Sequence, residues 1–350
     1  MYWMAEALVA GGKAVTIVTS NLGAEDKIPA DVWMDTGYGR VIYHDDRFHL
    51  LPFRMLRSIF NVMPDCDVVH LSSLFYPPSF LSALMAMRCK KPIVWSPRGE
   101  LDEKALVYST WKKRPLLWLI RRFVAKRVVF HSTSPGESAR IRAVFGPGAS
   151  IVEIPNFMKI PQPVETMADK PYLLCLGRIH PKKAIENLIE ALPLSRLFGE
   201  SGFILKIAGD YDNPYGTQLA DLVSRLGLQE KVFFSGLVEG DDKQKLYAGA
   251  YFSILPSHTE NFGNVVIESL AQGTPVMASK GTPWEILETE KAGIWTENSP
   301  EALAPALDRI FSLSEIEYQA CRGNASRLAR SKFDINRGIK IWTDTYTSIL

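Results

Sequence analysis

Short apolar runs rich in valine and isoleucine recur along the first half of the chain and alternate with stretches of helical periodicity. The runs are residues 14–20, 40–44, 67–72, 92–96 and 128–133, with helical patterns between them such as 51–63 and 78–89. Because the runs are continuously apolar, they fit strands buried on both faces, and their alternation with helices predicts a parallel sheet with right-handed crossovers. The first half is therefore predicted to form one doubly wound domain.

The second half repeats this alternation after a polar stretch, 154–170, whose three prolines are typical of an interdomain linker. Its predicted strands are 171–177, 203–209, 231–236, 251–256 and 275–279, and its predicted helices include 184–197, 217–226 and 241–250. The predicted fold class is thus α/β, with two doubly wound, Rossmann-like domains at 1–160 and 161–334. Ligands of such sheets lie outside the carboxyl ends of the strands, so we expect the two domains to face a central cleft that holds the site.

Length and charge narrow the class of protein. The 350 residues, 47% of them hydrophobic, are enough to build two cores. With 40 Lys and Arg against 38 Asp and Glu, the chain lacks the basic excess typical of nucleic-acid-binding proteins, so no nucleic-acid partner is expected. The four cysteines, Cys66, Cys89, Cys175 and Cys321, show neither CxxC spacing nor a companion histidine cluster, so we expect no zinc site and no disulfide framework.

No apolar run reaches the roughly 18–20 residues that span a bilayer, and the amino terminus has no basic region ahead of its apolar residues. We therefore expect a cytoplasmic protein. One stretch, 111–130, interleaves seven Lys and Arg with apolar residues in an amphipathic pattern. It has two interpretations: a half-buried helix with a solvated basic face, or a surface that contacts anionic lipid or a pyrophosphate-linked acceptor, peripheral at the inner face of the membrane.

A motif at 255–273 places two glutamates around the start of a helix. An apolar strand is followed by a polar loop, and the next helix is predicted to begin near Gly263 and to end at Gly273. The amino terminus of a helix offers backbone N–H groups and a positive dipole end, which suit a diphosphate or sugar hydroxyls between Glu260 and Glu268. On spacing alone, Glu260 could equally complement the helix dipole and Glu268 could be an ordinary surface residue.

A second motif, at 173–183, brings two cations to the end of a strand. The strand delivers Gly177 and Arg178 to its carboxyl end, and the loop adds Lys183 before the next helix. The planar guanidinium and the compact ammonium suit the two phosphates of a sugar nucleotide. A solvated basic loop would show the same pattern.

Together the two motifs resemble the donor-site signature of glycosyltransferase family 4, the retaining enzymes with the GT-B fold. The resemblance lies in Gly177-Arg178 with Lys183, and in Glu260-Asn261-Phe262-Gly263 with a second glutamate, Glu268, after seven intervening residues. Segments 232–236, 255–257 and 273–276 fit the same family at the expected intervals, so the resemblance covers nearly the whole chain.

The resemblance implies a role for each matching residue. Arg178 and Lys183 would bind the donor diphosphate and stabilise it as it leaves, in place of a metal ion. Glu268 would accept hydrogen bonds from the ribose, Glu260 would contact the sugar ring, and the nucleobase would lie near Gly236 to Val238. The donor-binding residues implied in this way are Gly177, Arg178, Lys183, Gly236, Val238, Glu260, Asn261, Phe262, Gly263, Asn264, Val265 and Glu268.

The family also implies a reaction. It retains anomeric configuration, through front-face attack by the acceptor and an oxocarbenium-like transition state, without a covalent nucleophile. The expected reaction is transfer of a hexose, with glucose as the leading guess, from a UDP-sugar to a saccharide or lipid-linked oligosaccharide in polysaccharide biosynthesis. Neither a metal nor any other cofactor is expected.

The first half departs from the family in two places. Arg98 stands where many members have a histidine beside the sugar, and is interpreted either as a catalytic contact to sugar or phosphate or as a loop arginine that fixes local structure. His131, at the end of another strand, could be structural or a site residue. Residues 1–11 resemble a helix that family members place after a first strand and a glycine-rich loop, so the contacts of that loop are not assigned. The last helix, 335–350, is expected to complete the first domain.

Two other functions fit part of the pattern. A sugar-nucleotide epimerase of the same fold would convert the donor without an acceptor. A non-catalytic sugar-nucleotide-binding subunit would bind UDP without turnover.

Overall fold

The computed structural model describes residues 2–22, 28–45, 51–102, 106, 110–165 and 170–350. The chain divides into two compact units, one formed by Met1–Lys159 with Ile335–Leu350 and the other by Ile160–Asp334. The carboxyl-terminal helix thus belongs to the first unit. No helix within the described ranges is long and apolar enough to cross a bilayer.

The first unit contains two sheets. The first has the order β1-β3-β2, with β1 parallel and β2 antiparallel to β3, and the second is a parallel sheet in the order β4-β5-β6-β7. These strands are β1 (Thr16–Ser20), β2 (Trp33–Thr36), β3 (Gly39–His44), β4 (Val69–Ser72), β5 (Ile93–Ser96), β6 (Val129–Ser132) and β7 (Ile151–Glu153). No strand in the described ranges pairs with both β1 and β4, so the strands of this unit form two sheets.

Helices cover both faces of the parallel sheet in this unit. They are α1 (Tyr2–Ala10), α2 (Phe53–Val62), α3 (Pro77–Arg88), α4 (Thr110–Leu119), α5 (Pro135–Phe145) and α14 (Ile335–Ile349). Alternate residues of β5 point to opposite sides: Ile93 and Trp95 join the core beneath α3, whereas Val94 joins Trp342 of α14 in a second core. This burial on both faces is what the continuous apolar run predicts.

The basic stretch at 111–130 is not one regular helix. After α4 the chain makes a π-helical turn, Ile120–Val124, and then a 3₁₀ turn, Ala125–Arg127, before β6. Within the described side chains of this stretch, Ile120 and Val124 are fully buried against the core, whereas Trp118 remains 60% exposed. The segment is therefore amphipathic, as its sequence predicts.

The second unit is one six-stranded parallel sheet in the doubly wound order β10-β9-β8-β11-β12-β13. Its strands are β8 (Tyr172–Leu176), β9 (Ile204–Ala208), β10 (Val232–Gly236), β11 (Phe252–Leu255), β12 (Val276–Ser279) and β13 (Gly293–Thr296). Its helices are α6 (Ile185–Ala191), α7 (Arg196–Glu200), α8 (Pro214–Arg225), α9 (Gly240–Ala248), α10 (Asn264–Ala271), α11 (Ile286–Thr289), α12 (Pro300–Phe311) and α13 (Glu315–Lys332). The α/β class with parallel sheets is confirmed.

Two local features follow from single residues. The predicted helix at 184–197 is interrupted, because Pro193 cannot donate its backbone nitrogen and a 3₁₀ turn, Leu192–Leu194, separates α6 from α7. By contrast, α10 begins and ends as the sequence predicts, with Gly263 before it at φ +86° and Gly273 after it at φ +71°, both in the left-handed region that glycine tolerates.

Candidate functional site

The loops that follow β8 and β11 meet through an ion pair. Lys183 Nζ lies 2.5 Å from Glu260 Oε1, and the two side chains are only 17% and 13% exposed. These loops are adjacent because β8 and β11 are neighbouring parallel strands whose carboxyl ends share one edge of the sheet. The structure thus brings together a cation and a carboxylate that the sequence places 77 residues apart.

Further hydrogen bonds fix this pair in place. The hydroxyl of Ser257 donates to the same Oε1 of Glu260 at 2.9 Å, and the backbone N–H of Glu260 donates to the carbonyl of Gly281 at 3.0 Å. The N–H of His258 donates to the carbonyl of Lys182 at 3.0 Å, which joins the two loops directly. Glu260 is therefore held by its partners four residues ahead of α10, rather than acting only on the dipole of that helix.

Glycines make the backbone of this region compact. Gly177 follows β8 and lies beside Lys183, and a Cβ atom on Gly177 would lie 3.9 Å from Lys183 Nζ. The next strand brings Gly209, at φ +154°, so close that a Cβ atom there would lie 2.0 Å from the carbonyl oxygen of Gly177. Only glycine fits at position 209 without moving the loop that carries Arg178.

Arg178 is exposed and makes no hydrogen bond or ion pair with any part of the chain that the structure describes. It borders a surface groove of about 500 Å³ together with His180, Pro181, Asp210 and Tyr215. A guanidinium with all five N–H donors uncommitted can bind an anion bidentately.

Glu268 lies at the centre of a second cluster. Glu268 is only 9% exposed. Its carboxylate accepts hydrogen bonds from Lys243 Nζ and from the hydroxyl of Tyr247, each at 3.0 Å. Burial and the neighbouring Glu268 carboxylate raise the pKa of Tyr247 well above its ordinary value, so the hydroxyl remains a donor. The interpretation of Glu268 as an ordinary surface residue is wrong.

Sequence reasoning missed Lys243 and Tyr247. They lie four residues apart on α9, so they occupy the same side of that helix, and this spacing was the available signal. Nothing in the sequence showed that this side meets α10.

The remaining residues of the second motif surround the start of α10. Phe262 is buried in an aromatic cluster with Trp284 and Phe333, and Trp284 Nε1 donates to the carbonyl of Phe262. A Cβ atom on Gly263 would lie 3.1 Å from a methyl group of Leu255. Asn261 is half-buried, Asn264 is exposed, and Val265 is half-buried in the first turn of α10, at the positive end of the helix dipole.

The predicted nucleobase region lies at the end of β10. Gly236, at φ +70°, accepts from the N–H of Gly209 at 2.7 Å. Val238 packs against a small core that includes Tyr172 and Tyr247. Through Tyr247, this region is connected to the Glu268 cluster.

Arg98 belongs to the first unit, where it follows β5 in a fixed loop. Its φ is +54°, and its Nε donates to the Ser72 hydroxyl at 3.0 Å. The next N–H, of Gly99, donates to the buried carboxylate of Glu137 at 2.7 Å. Arg98 is nevertheless exposed as a residue, although burial of the guanidinium group lowers its pKa.

His131 takes the structural role. A carbonyl can only accept, so the contact of 2.9 Å between Nε2 and the carbonyl of Ile154 places the ring proton on Nε2. Nδ1 of His131 then accepts a hydrogen bond from the hydroxyl of Ser96. The same Ser96 oxygen accepts from Nε2 of His70, and Nδ1 of His70 accepts from the hydroxyl of Tyr346 on α14. Burial, reinforced by Arg98, lowers the pKa of His131 to about 4, which keeps the ring neutral in this ordered chain.

Comparison with known proteins identifies the family of both halves. Residues 157–327 match the family described as "Glycosyl transferases group 1", and residues 1–156 match the "Glycosyl transferase 4-like domain". An uncharacterized glycosyltransferase of Methanocaldococcus jannaschii is 39% identical over 146 residues, 41% of this chain and 36% of the relative. A lipopolysaccharide core biosynthesis glycosyltransferase of Rhizobium meliloti is 31% identical over 175 residues, 47% of this chain and 49% of the relative.

The fold is also that of solved glycosyltransferase structures. The structure of the Anabaena protein HepE in complex with UDP and glucose superposes with a TM-score of 0.76 at 19% identity, covering 99% of this chain and 94% of that one. The curated relatives share less of their length, since the matches span about a third and a half of the two described above. Both halves of the sequence and the GT-B fold nevertheless lead to one family, and the chain belongs to the group 1 glycosyltransferases.

Proposed function

We propose that this chain is a retaining hexosyltransferase that uses a UDP-sugar, with glucose as the leading donor sugar, to extend a saccharide or lipid-linked oligosaccharide acceptor. The observation that carries the proposal is the position of two largely buried carboxylates, Glu260 four residues before the short helix α10 and Glu268 within that helix. Glu260 accepts from Lys183 and Ser257 at one oxygen, Oε1, whereas Glu268 accepts one hydrogen bond at each oxygen, so the orientation of both carboxylates is fixed before any ligand arrives.

The proposed donor lies along this helix. Arg178 and Lys183 would bind the two phosphates and stabilise the charge that develops as the diphosphate leaves. Glu268 would accept from the ribose hydroxyls, Glu260 from the sugar ring, and the uracil would lie beside Gly236 and Val238. Because no protein nucleophile is assigned, retention is proposed to follow from front-face attack by the acceptor hydroxyl through an oxocarbenium-like transition state.

Two relatives support the substrate classes. HepE of Anabaena binds UDP and glucose in its crystal structure, which supports a UDP-hexose donor for this chain. The Rhizobium meliloti relative is named for lipopolysaccharide core biosynthesis, which supports a saccharide acceptor carried on lipid. Such an acceptor would bring a cytoplasmic enzyme to the inner face of the membrane, and we propose the stretch 111–130 as part of the contacting surface.

Calorimetric titration tests the donor assignment. Glu268→Gln should weaken UDP binding, whereas Glu230→Gln, which removes an exposed glutamate elsewhere in the second unit, should leave it within twofold. Each hydrogen bond to a charged group contributes about 1.5–3 kcal/mol, so we expect about a tenfold or larger loss. Wild type should bind 2′,3′-dideoxy-UDP more weakly than UDP, because the analogue lacks the ribose hydroxyls. Glu268→Gln should bind the two nucleotides with equal affinity. Equal binding of UDP by wild type and Glu268→Gln would remove Glu268 from the site.

Turnover separates the proposed activity from its alternatives. Transfer of labelled glucose from UDP-glucose, the leading proposed donor, to an acceptor extract supports a transferase. Conversion of the donor sugar without any acceptor would point to an epimerase. Donor binding without turnover in any extract would point to a non-catalytic subunit.

Metal independence is tested with a chelator. Because Arg178 and Lys183 supply the positive charge for the leaving diphosphate in this proposal, turnover should be undiminished in excess EDTA. Strict dependence on added Mg²⁺ would contradict it.

A further inference from the structure

Three neighbouring helical segments of the first unit contain no acidic side chain. Helix α2, helix α3, and the segment 110–127 that contains α4 and its two following turns hold ten of the chain's 40 Lys and Arg, and none of its 38 Asp and Glu. The layer on the other side is mixed in charge, since α1 contains Glu6 and α14 contains Asp344. We call the outer surface of α2, α3 and 110–127 the basic face.

The same face exposes large apolar side chains. Their exposed fractions are Phe53 68%, Phe60 63%, Leu84 37%, Trp111 76%, Trp118 60% and Phe123 50%. Single exposed apolar residues are common on protein surfaces, but six on adjacent elements of one unit form a repeated pattern.

These side chains are spaced so that each element presents one stripe outward. On α2, Phe53, Arg57 and Phe60 are separated by four and three residues, which places them on one side of the helix. In the segment 110–127, Trp111 and Trp118 are seven residues apart, again on one side. The stripes lie in one layer because α2 packs against α3, and α3 packs against the π-helical turn at 120–124.

The inner sides of these elements already supply the core. Ala83 and Ala86 of α3 and Ile120 and Val124 of the π-helical turn are buried in one cluster, and Ile59 of α2 packs against it. The exposed aromatic side chains are therefore not needed to cover the sheet. Arg54 of this face is paired with Asp31, and the exposed aromatic side chains lie on the same elements as the other cations, which favours a partner that is both apolar and anionic.

We propose that the basic face docks on the surface of a bilayer that contains anionic lipid. Aromatic rings prefer the boundary between head groups and acyl chains, and Lys and Arg beside them are attracted to anionic head groups. The leucine and the three phenylalanines in the same face fit the acyl boundary better than the grooves of a nucleic acid, where aromatic side chains act by stacking on bases. The inference rests on the membrane contact proposed above for 111–130 and extends it to α2 and α3; it concerns the first unit alone and does not depend on the donor site of the second.

The test is co-sedimentation of the full chain with vesicles. Vesicles of phosphatidylcholine alone are compared with vesicles of phosphatidylcholine and phosphatidylglycerol at 60:40, at low and at high salt. We expect binding to the second kind only, weakened by salt. No binding to the phosphatidylglycerol vesicles, or equal binding to both kinds, would overturn the proposal.

Paired variants localise the contact. Arg121→Gln with Arg122→Gln removes two charges from the basic face, and Lys13→Gln with Lys340→Gln removes two exposed charges from the opposite side of the same unit. Since each cation near an anionic surface contributes roughly a fivefold gain in binding, the first pair should weaken binding by about 30-fold and the second by less than twofold. Similar losses for the two pairs would contradict a specific face.

An apolar variant and a competitor complete the test. Trp118→Ser with Phe123→Ser should weaken vesicle binding at least tenfold without shifting the melting temperature, whereas Phe233→Ser, an exposed phenylalanine of the second unit, should not weaken it. Tighter binding to a single-stranded oligonucleotide than to the anionic vesicles would overturn the assignment of lipid as partner. Titration of the same preparations with UDP reports separately on the donor site.

Discussion

Replacing Lys183 by methionine separates its two expected roles, in stability and in donor binding. The side chain keeps its length and apolar stem but loses the ammonium that lies 2.5 Å from Glu260. The neighbouring Lys182 is the matched control, because Lys182→Met removes the same charge one residue away from a side chain that makes no hydrogen bond or ion pair in the described part of the chain.

The loss of stability can be estimated from the pair. Removing one partner of a buried ion pair costs about 3–5 kcal/mol. Glu260 retains the hydrogen bond from Ser257 and is 13% exposed, so we expect about 2 kcal/mol here after this discount. For a unit of this size, that corresponds to a fall of about 4–8 °C in Tm.

The loss of donor affinity has a different origin. If Lys183 binds the diphosphate, its removal should raise the Kd for UDP by about 10- to 100-fold, since one charge-assisted hydrogen bond contributes about 1.5–3 kcal/mol. Adding Glu260→Gln to Lys183→Met removes the uncompensated carboxylate, so Tm should recover while UDP affinity stays low.

Thermal unfolding and calorimetry on Lys183→Met, Lys182→Met, Glu260→Gln and the double variant complete this cycle. A UDP affinity of Lys183→Met within twofold of that of Lys182→Met would refute the phosphate assignment. Failure of the double variant to recover Tm would show that the ion pair is not the source of the stability loss.

Three further predictions follow from single contacts. Gly209→Ala should destabilise the second unit by about 3 kcal/mol and weaken UDP binding, because the new Cβ would lie 2.0 Å from the carbonyl of Gly177; unchanged urea unfolding would contradict this. Tyr247→Phe removes a donor from buried Glu268 and should lower the free energy of unfolding by about 1–3 kcal/mol, measured by urea unfolding, with no loss expected for Tyr211→Phe, an exposed tyrosine. The folded-state pKa of His131, about 4, lies below its ordinary 6.5, so its contribution to stability is present above pH 6.5 and is lost as the pH falls towards 4. The difference in unfolding free energy between wild type and His131→Gln should therefore narrow by up to about 3 kcal/mol between pH 7 and pH 4, and a constant difference would be contrary to this prediction.

Part of the site could be predicted because it follows from local rules. Strands end where apolar runs end, and a parallel sheet brings successive loops to one edge, so Lys183 and Glu260 could be expected to meet. The limits of α10 were also readable, since glycine at positions 263 and 273 supplies the left-handed conformations that its ends require.

The rest depends on packing that no local pattern encodes. Lys243 and Tyr247 reach Glu268 only because α9 packs against α10, and a helix of polar sequence gives no sign of which neighbour it will contact. Strands β2 and β7 are short and only partly buried, so they lack the continuous apolar run that marks the others. The division of the first unit into two sheets likewise depends on which strands pair with each other, and the apolar pattern of a strand does not identify its partner.

Both carboxylates that we assign to the donor are paired with lysines, and this affects how binding energy is obtained. A diphosphate that binds Lys183 must compete with Glu260, so part of the attraction replaces an existing ion pair and does not add to it. UDP alone would draw Lys183 towards phosphate and leave the mostly buried Glu260 carboxylate with the hydroxyl of Ser257 as its side-chain donor. A hexose hydroxyl would donate the hydrogen bond that Glu260 then lacks, so we expect the UDP-sugar to bind more tightly than UDP. This preference should disappear in Glu260→Gln. In that case Glu260 would favour the intact donor over the product, which is the order that product release requires.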